Sequence, residues 1–332
     1  MTVWIVLVDY NGLDDTRRCL TSLAALADPA RVVVVDNAGK RDVAAELAPV
    51  FPWADFVRAP ANGGWAGGNN VGLRHALERG ADWVVLLNND TVASPHLVGR
   101  LLAAARVQPS YGVLGPVIRY LAPPHEVQTD GVVFNRPDRP GFFQRHPVPL
   151  ATTDPPTVAP VDIVNGCCLC VRADVVKRIG FIDEGFFLIH EESDYCLRAQ
   201  RAGFGNGVIA EALVWHKGSS TFKREGSKLQ RYFDARNIPR LLLKHGGGSG
   251  RRPAWRAWGH FVRYAYHRYA LEREGGFDGP ANAVLDGLYD AATRRFGGYR
   301  PPGGRPGVEV LRTMFSGAWR LAGGTRARYD TC

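Results

Sequence analysis

The sequence predicts an α/β fold, a doubly wound and mostly parallel sheet followed by a helical C-terminal extension. Three observations carry this. Short, continuous apolar runs alternate with helix-forming segments over the first 90 residues, the pattern of strands buried on both faces by helices. Three of these runs end in Asp or Asn, at Asp9, at Asp36-Asn37 and at Asn88-Asn89-Asp90. Beyond about residue 216 the composition becomes basic and the strands give way to helical segments.

In order, Val3–Val8 is a strand closed by the turn Asp9-Tyr10-Asn11-Gly12, and Asp14 and Asp15 can cap a helix reaching about Ala27. Val32–Val35 is a second strand, followed by a short helix near 42–48 and a strand near Phe56-Val57. The stretch Asn62-Gly63-Gly64-Trp65-Ala66-Gly67-Gly68-Asn69-Asn70 reads as a loop before a helix stopped by Gly80. Trp83–Leu87 is the central strand, and Ser94-Pro95 opens a helix to about 107. Val113–Ile118 is a strand, and 121–160 is a long Pro-rich loop with a hairpin near Gly131–Phe134. Val161–Arg172 returns to strand character, a short helix ends at Gly180, and a helix runs from the acidic cluster at 191–194 to Gly203. The last strand, Val208–Trp215, ends in His216. Helices follow at about 221–245, 253–270 and 280–296, with a flexible Gly246–Gly250 linker and a Gly/Pro/Arg-rich tail.

At 332 residues the chain can form one large α/β domain or two modest ones. No apolar run approaches the roughly 18–20 residues that span a bilayer, and Met1–Val8 lacks the features of a secretory leader, so a cytoplasmic location is expected. The cysteines (19, 167, 168, 170, 196, 332) form neither a disulfide framework nor a CxxC metal knuckle, and are expected to pack reduced in the interior. The net charge of +9 is uneven. Residues 1–216 hold 19 Lys and Arg against 23 Asp and Glu, whereas 217–332 hold 22 against 9. A basic tail on a near-neutral domain points to an anionic partner or to a solvated surface. In the tail, Trp255, Trp258, Phe261, Val262, Ala265 and Tyr269 share one helical stripe, while Arg256, His260, Arg263 and His267 share another. Such a helix either packs on the preceding domain or lies on an anionic membrane surface.

There is no GxxxxGK[ST] phosphate loop, and Gly205–Ala210 matches GxGxxA only in the wrong context, after a helix and opening a strand. His190-Glu191 starts like HExxH, but Asp194 stands at the fifth position. What remains is a series of polar clusters. Each alone has a plain structural reading: Asn88–Asp90 as a turn, His216 as a structural histidine, Glu191, Glu192 and Asp194 as first-turn acids. Three polar strand ends on one sheet edge point instead to a ligand site, since ligands of open α/β sheets collect outside the carboxyl ends of the strands.

The ordered set Val35–Ala38, Asn62–Asn70, Leu86–Thr91, Phe186–Arg198, Trp215–Ser219 and Arg236-Asn237 resembles the family 2 glycosyltransferases of GT-A fold, in their rhamnosyltransferase-like branch, over roughly residues 1–245. The resemblance implies a GT-A catalytic domain at 1–220, with a donor half at 1–120 and an acceptor half at 121–220, and a basic extension at 221–332. It implies an inverting transfer from a nucleoside-diphosphate sugar, dTDP- or UDP-linked and with rhamnose as one candidate sugar, to a glycan or polyprenyl-linked acceptor. The basic tail makes an anionic membrane surface a candidate partner, and no nucleic-acid partner is expected. By the same resemblance Asp90 binds a divalent metal, Mn²⁺ or Mg²⁺, with His216 as the second ligand; imidazole favours Mn²⁺. Asn88 stands where the family usually has the first Asp of its DxD motif and becomes a hydrogen-bonding position, with Asn89 beside it. Asp36 accepts from the donor base, and Asn37, Asn62, Gly63, Trp65 and Asn69 line the donor. Arg236 holds the diphosphate. Glu192 occupies the position of the catalytic base, where the family usually has Asp, with Glu191 and Asp194 beside it. Two other classes stay open at this point: a non-catalytic nucleotide-sugar scaffold, and a nucleotidyltransferase, for which Asp9-Tyr10-Asn11-Gly12-Leu13 is the wrong first loop.

Overall fold

The computed structural model describes residues 1–134, 143–144, 154–218, 227–245, 254–299 and 305–321. The described residues fall into two compact units, one holding the sheet and the other holding the C-terminal helices together with Leu188–His190.

The sheet unit begins with β1 (Val3–Asp9), α1 (Leu13–Leu23), β2 (Arg31–Asp36), α2 (Val43–Leu47), β3 (Asp55–Arg58), α3 (Gly64–Glu78) and β4 (Trp83–Asn88). Next come β5 (Thr91–Ala93), α4 (Leu97–Val107), β6 (Tyr111–Tyr120), β7 (Val127–Thr129), β8 (Val133–Phe134) and β9 (Phe143–Gln144). It closes with β10 (Val158–Pro160), β11 (Cys168–Arg172), α5 (Ala173–Ile179), α6 (Glu191–Arg201) and β12 (Gly205–His216). The strand order is β10-β12-β6-β11-β4-β1-β2-β3, with β5 on β12 and β7 on β6. β3, β2, β1 and β4 are parallel; β11 runs antiparallel between β4 and β6, and β12 is parallel to β6.

Both faces of the parallel strands are covered, which is why their sequences read as unbroken apolar runs. Val3, Ile5 and Leu7 face a core shared with α1 and α4, while Trp4 and Val6 face one shared with α3, α5 and α6. α3 lies unusually close. A Cβ at Gly68 would meet Val8 Cγ1 at 2.6 Å, and one at Gly72 would meet Val6 Cγ1 at 2.2 Å.

Several expectations change. Gly64–Asn70 is not loop but the first turns of α3, and Gly68 serves the approach of the helix to the sheet. α1 starts after Gly12 with no side-chain cap, so Asp14 and Asp15 lie in its first turn rather than capping it. A short strand, β5, separates the central strand from α4, which starts at Leu97 after His96 rather than at Pro95. Five cysteines (19, 167, 168, 170 and 196) are free and buried.

The helical unit contains α7 (Ser227–His245), α8 (Ala254–Glu274), α9 (Asp278–Ala292) and α10 (Pro306–Leu321). α7 and α9 cross closely at Gly287, where a Cβ would lie 2.3 Å from the Tyr232 carbonyl. The aromatic stripe of α8 packs within this unit: Phe261, Ala265 and Tyr269 are buried against Ala235, Val284 and Phe315. Val262 stays exposed, and the Trp255 side chain lies outside the described residues. α10 corrects the expectation of an irregular tail; its flanking Gly and Pro mask a helical run from Val308 to Leu321. The Gly246–Gly250 linker lies outside the described residues. Among the described residues, no helix is long and apolar enough to cross a membrane.

Candidate active site

Parallel register brings the polar ends of β1, β2 and β4 to one edge, with Asp9 opposite Asp36 and Asn88 beside Val8. Asp9 is buried and accepts from Thr16 Oγ1 at 2.6 Å and from the Gly12 amide at 3.3 Å. Burial raises its pKa against the pull of those bonds. Asn89 donates to Thr16 Oγ1 at 2.8 Å, so its amide ties down the turn between β1 and α1.

Asp36 pairs with Arg58 Nη1 at 2.6 Å and accepts from the Gly39 amide at 3.0 Å. Each carboxylate oxygen has two acceptor sites, so capacity for a further N–H remains. Asn37 is spent differently. Its Oδ1 accepts from Gly63 N at 3.0 Å, and its Nδ2 donates to Gly64 O at 3.0 Å and to Asn62 Oδ1 at 3.1 Å. Asn62 Oδ1 also accepts from Gly64 N at 2.9 Å. Asn37, Asn62 and Gly63 thus build the turn that launches α3 rather than offering free amides to a donor. Asn69, 2% exposed, donates to the Trp65 carbonyl at 2.9 Å and serves its own helix.

Trp65 and Asn88 meet each other. The indole Nε1 donates to Asn88 Oδ1 at 3.0 Å, fixing the ring over the end of β4. Gly166 is the floor between them and the acidic motif: a Cβ there would lie 3.4 Å from both Trp65 Cζ2 and Glu192 Cβ. Trp65, Asn88 and Glu192 therefore border one space.

Asp90 and His216 come together because β5 pairs antiparallel with the end of β12, setting Thr91 opposite His216. His216 Nε2 lies 3.1 Å from Asp90 Oδ1, and both side chains are buried. His216 Nδ1 donates to Gln128 Oε1 at 2.9 Å. In a neutral imidazole that leaves a lone pair on Nε2, a buried atom without a hydrogen-bond partner among the described residues. A ring nitrogen fixed by its opposite N–H and turned toward a carboxylate is the donor set a metal ion uses. Among the described residues, no group of three or more His, Cys, Asp or Glu is placed to hold a metal ion by itself. The pair suits a hard cation whose remaining positions are filled by phosphate and water. Beside it, the Lys217 amide donates to the Asp90 carbonyl at 3.0 Å while its ammonium sits on Asp15 at 2.8 and 3.1 Å.

The acidic motif opens α6. Glu191 is 4% exposed, whereas Glu192 is half-buried and accepts from Ser193 Oγ at 3.3 Å. Asp194 has no exposed side chain and is bound to Arg198 Nε at 2.8 Å; Arg198 also donates to the carbonyls of Ile179 and Phe181. The Asp194 carboxylate holds the first turns of α6 through this pair. Arg236 is 0% exposed in the helical unit, lies 4.8 Å from the Phe233 ring centroid, and donates from Nε to Asn237 Oδ1 at 2.9 Å and from Nη1 to the Gly297 carbonyl. Gln128, Gly166, Lys217 and Asp15 were not anticipated; Gln128 sits in the Pro-rich stretch read as loop, and no local pattern marks it.

A low-salt glycan biosynthesis hexosyltransferase of Haloferax volcanii is 26% identical over 239 residues, covering 70% of this chain and 73% of the relative. The N-acetylglucosaminyl-diphospho-decaprenol L-rhamnosyltransferase of Mycobacterium tuberculosis is 27% identical over 251 residues, covering 68% and 79%. Among solved structures, GalNAc-T7 with UDP, GalNAc and Mn²⁺ superposes with a TM-score of 0.56 at 13% identity; the match covers 74% of this chain and 54% of that one, and supports the fold alone. A family model described as "Glycosyltransferase like family 2" matches residues 3–235, from β1 into α7. That span takes in every polar cluster at the carboxyl edge of the sheet, and the chain belongs to the family 2 glycosyltransferases.

Proposed function

We propose that the protein is a metal-dependent, inverting glycosyltransferase that moves a sugar from a dTDP- or UDP-linked donor to a hydroxyl of a lipid-linked or cell-surface glycan. The observation that carries this is the Asp90–His216 pair, 3.1 Å apart, with its imidazole locked by Gln128. Asp90 and His216 would hold Mn²⁺ or Mg²⁺, and such a cation neutralises charge on a departing diphosphate. Mn²⁺ is the better match to the imidazole, and it accompanies UDP in the GalNAc-T7 structure.

The chain's own groups do the rest. Asp36 accepts the N–H of a uracil or thymine base. Glu192, half-buried at the start of α6 and across Gly166 from Trp65, takes the proton of the acceptor hydroxyl. The freed oxygen attacks the anomeric carbon from the face opposite the diphosphate; the bond to the diphosphate breaks, and the configuration inverts. The helix N-terminus favours the negative charge Glu192 needs before it accepts that proton. Trp65 offers an indole to the sugar at the same spot. The L-rhamnosyl transfer to a decaprenol diphosphate named for the mycobacterial relative supports a polyprenyl-linked acceptor and rhamnose among the candidate sugars. Such an acceptor would place the protein at an anionic membrane surface, which the basic balance of residues 217–332 and the exposed Val310, Met314 and Leu321 of α10 both favour.

The test uses the UDP-, dTDP- or GDP-sugar that turns over fastest with Mn²⁺, with water or a glycan as acceptor. Asp90→Asn should fold normally and lose Mn²⁺-stimulated release of nucleoside diphosphate. Full stimulation in a well-folded Asp90→Asn protein would refute the proposal.

A further inference from the structure

The segment between α5 and α6 has no secondary structure of its own, yet it delivers the acidic motif. It contains a turn in which the Phe186 amide donates to the Asp183 carbonyl at 3.1 Å and the Phe187 amide to the Glu184 carbonyl at 3.1 Å. Phe187 has φ 62°, a left-handed conformation that an aromatic residue seldom adopts without help from its surroundings. Such a turn keeps its shape only if something outside it holds it.

α3 holds it at both ends. Asn70, 1% exposed, accepts from the Ile182 amide at 3.0 Å and donates to the Ile182 carbonyl at 2.9 Å and to Glu184 Oε1 at 2.8 Å. One side-chain amide therefore satisfies both backbone groups of a residue 112 positions away, as a neighbouring strand would. Six residues earlier on the same helix, Gly64 takes φ +67° and leaves room for the Phe187 carbonyl, which a Cβ would meet at 2.2 Å. That carbonyl accepts from the Ala66 amide at 3.3 Å. This arrangement joins α3 to the segment before α6. It fixes the turn that leads into Glu191 and Glu192, and it does so from the helix that carries Trp65, whose ring shares the Gly166 floor with Glu192.

We infer that Asn70 is a positioning residue for Glu192: by gripping Ile182 it sets where the carboxylate stands relative to Trp65 and the end of β4. The inference rests on reading Glu192 as the base. A displacement of about 1 Å in a reacting group can cost about 10²-fold in rate, so a small relaxation of this turn suffices for a large effect.

The test is a double-mutant cycle on kcat for Mn²⁺-dependent release of nucleoside diphosphate from the best nucleotide-sugar donor, with donor KM measured alongside. Asn70→Ala should lower kcat by about 10–100-fold and leave donor KM nearly unchanged. Glu192→Gln alone should lower kcat by about 10²–10⁴-fold. In the Glu192→Gln background Asn70→Ala should cost almost nothing more, because the group it positions is already disabled. Equal losses in both backgrounds, or an Asn70→Ala enzyme with wild-type kcat, would overturn the role of Asn70. A Glu192→Gln enzyme near wild type would overturn the base reading instead. If Asn70→Ala does not fold, Asn70→Asp enters the same cycle; it keeps the acceptor for the Ile182 amide and loses the donation to the Ile182 carbonyl.

Discussion

Asp194 and Glu192 lie two residues apart in one acidic motif, and the structure predicts opposite consequences for neutralising them. Asp194 has 0% side-chain exposure and binds Arg198 at 2.8 Å one helical turn on, and Arg198 is 18% exposed. Breaking a buried pair costs about 3–5 kcal/mol, because the remaining charge is left uncompensated. Asn retains an oxygen that can accept from Arg198 Nε, and Arg198 keeps its bonds to Ile179 and Phe181, which puts Asp194→Asn at the low end, about 3 kcal/mol. At about 2–4 °C per kcal/mol for a unit of this size, the melting temperature should fall by about 6–12 °C. Turnover per folded molecule, measured well below that transition, should stay within a few-fold of wild type. Glu192→Gln should do the reverse, with the melting temperature almost unmoved and kcat down by about 10²–10⁴-fold. Differential scanning calorimetry and donor turnover on the same two preparations decide the matter. An Asp194→Asn protein that melts like wild type but is inactive would place the base at Asp194 and refute the reasoning.

Two further predictions concern packing and pH. Gly72→Ala should destabilise by about 1–3 kcal/mol through overpacking, because its Cβ would lie 2.2 Å from Val6 Cγ1. Combining it with Val6→Ala should recover part of that loss, and a Gly72→Ala protein as stable as wild type by chemical denaturation would contradict the close α3–β1 approach. Asp286 on α9 is 1% exposed, and burial pushes its carboxyl from 3.8 up to about 6 despite Arg305 and Arg312 nearby. A raised carboxyl pKa means the folded protein holds the proton more tightly, so stability is lost as pH rises from about 4 through about 6. The two-unit shift corresponds to about 3 kcal/mol once the group is ionised. Asp286→Asn should therefore raise the melting temperature at about pH 8 and much less at about pH 4; a gain independent of pH, or a loss at the higher pH, would count against it.

How much of this was legible in the sequence depends on the distance between partners. β1, β2 and β4 announce themselves because burial on both faces writes an unbroken apolar run, and their polar ends mark the edge where the site lies. β5 has only three residues, and its reason for existing is a partner strand more than a hundred positions away, at His216. No local window contains that information, yet this pairing is what brings Asp90 to His216. Gln128 was invisible for the same reason. The glycines of α3 were visible as a pattern but not in purpose: phosphate approach and close helix packing both ask for a missing Cβ, and only the 2.6 Å from Gly68 to Val8 and the 2.2 Å from Gly72 to Val6 mark these two as packing positions. α10 was hidden by its Gly- and Pro-rich flanks, which dominate the composition of the tail.

The asparagines make the same point about function. An Asn side chain presents one donor group and one acceptor, the same pairing as a peptide bond, so it can complete a turn or bracket a distant residue where backbone groups would otherwise go unpaired. Asn37 does this for Gly63 and Gly64, Asn89 for the β1–α1 turn, and Asn70 for Ile182. In a sequence, such residues clustered at strand ends look like ligand contacts, and the sheet register gathers those strand ends at one edge. Their amides are already committed to the fold, however, and a committed amide has little left with which to recognise a donor. His216 differs: its Nδ1 is satisfied by Gln128, while its buried Nε2 faces Asp90 with no hydrogen bond of its own. A buried acceptor turned toward a carboxylate is costly unless something positive comes between them. The proposed chemistry rests on His216 beside Asp90, not on the well-bonded amides around them.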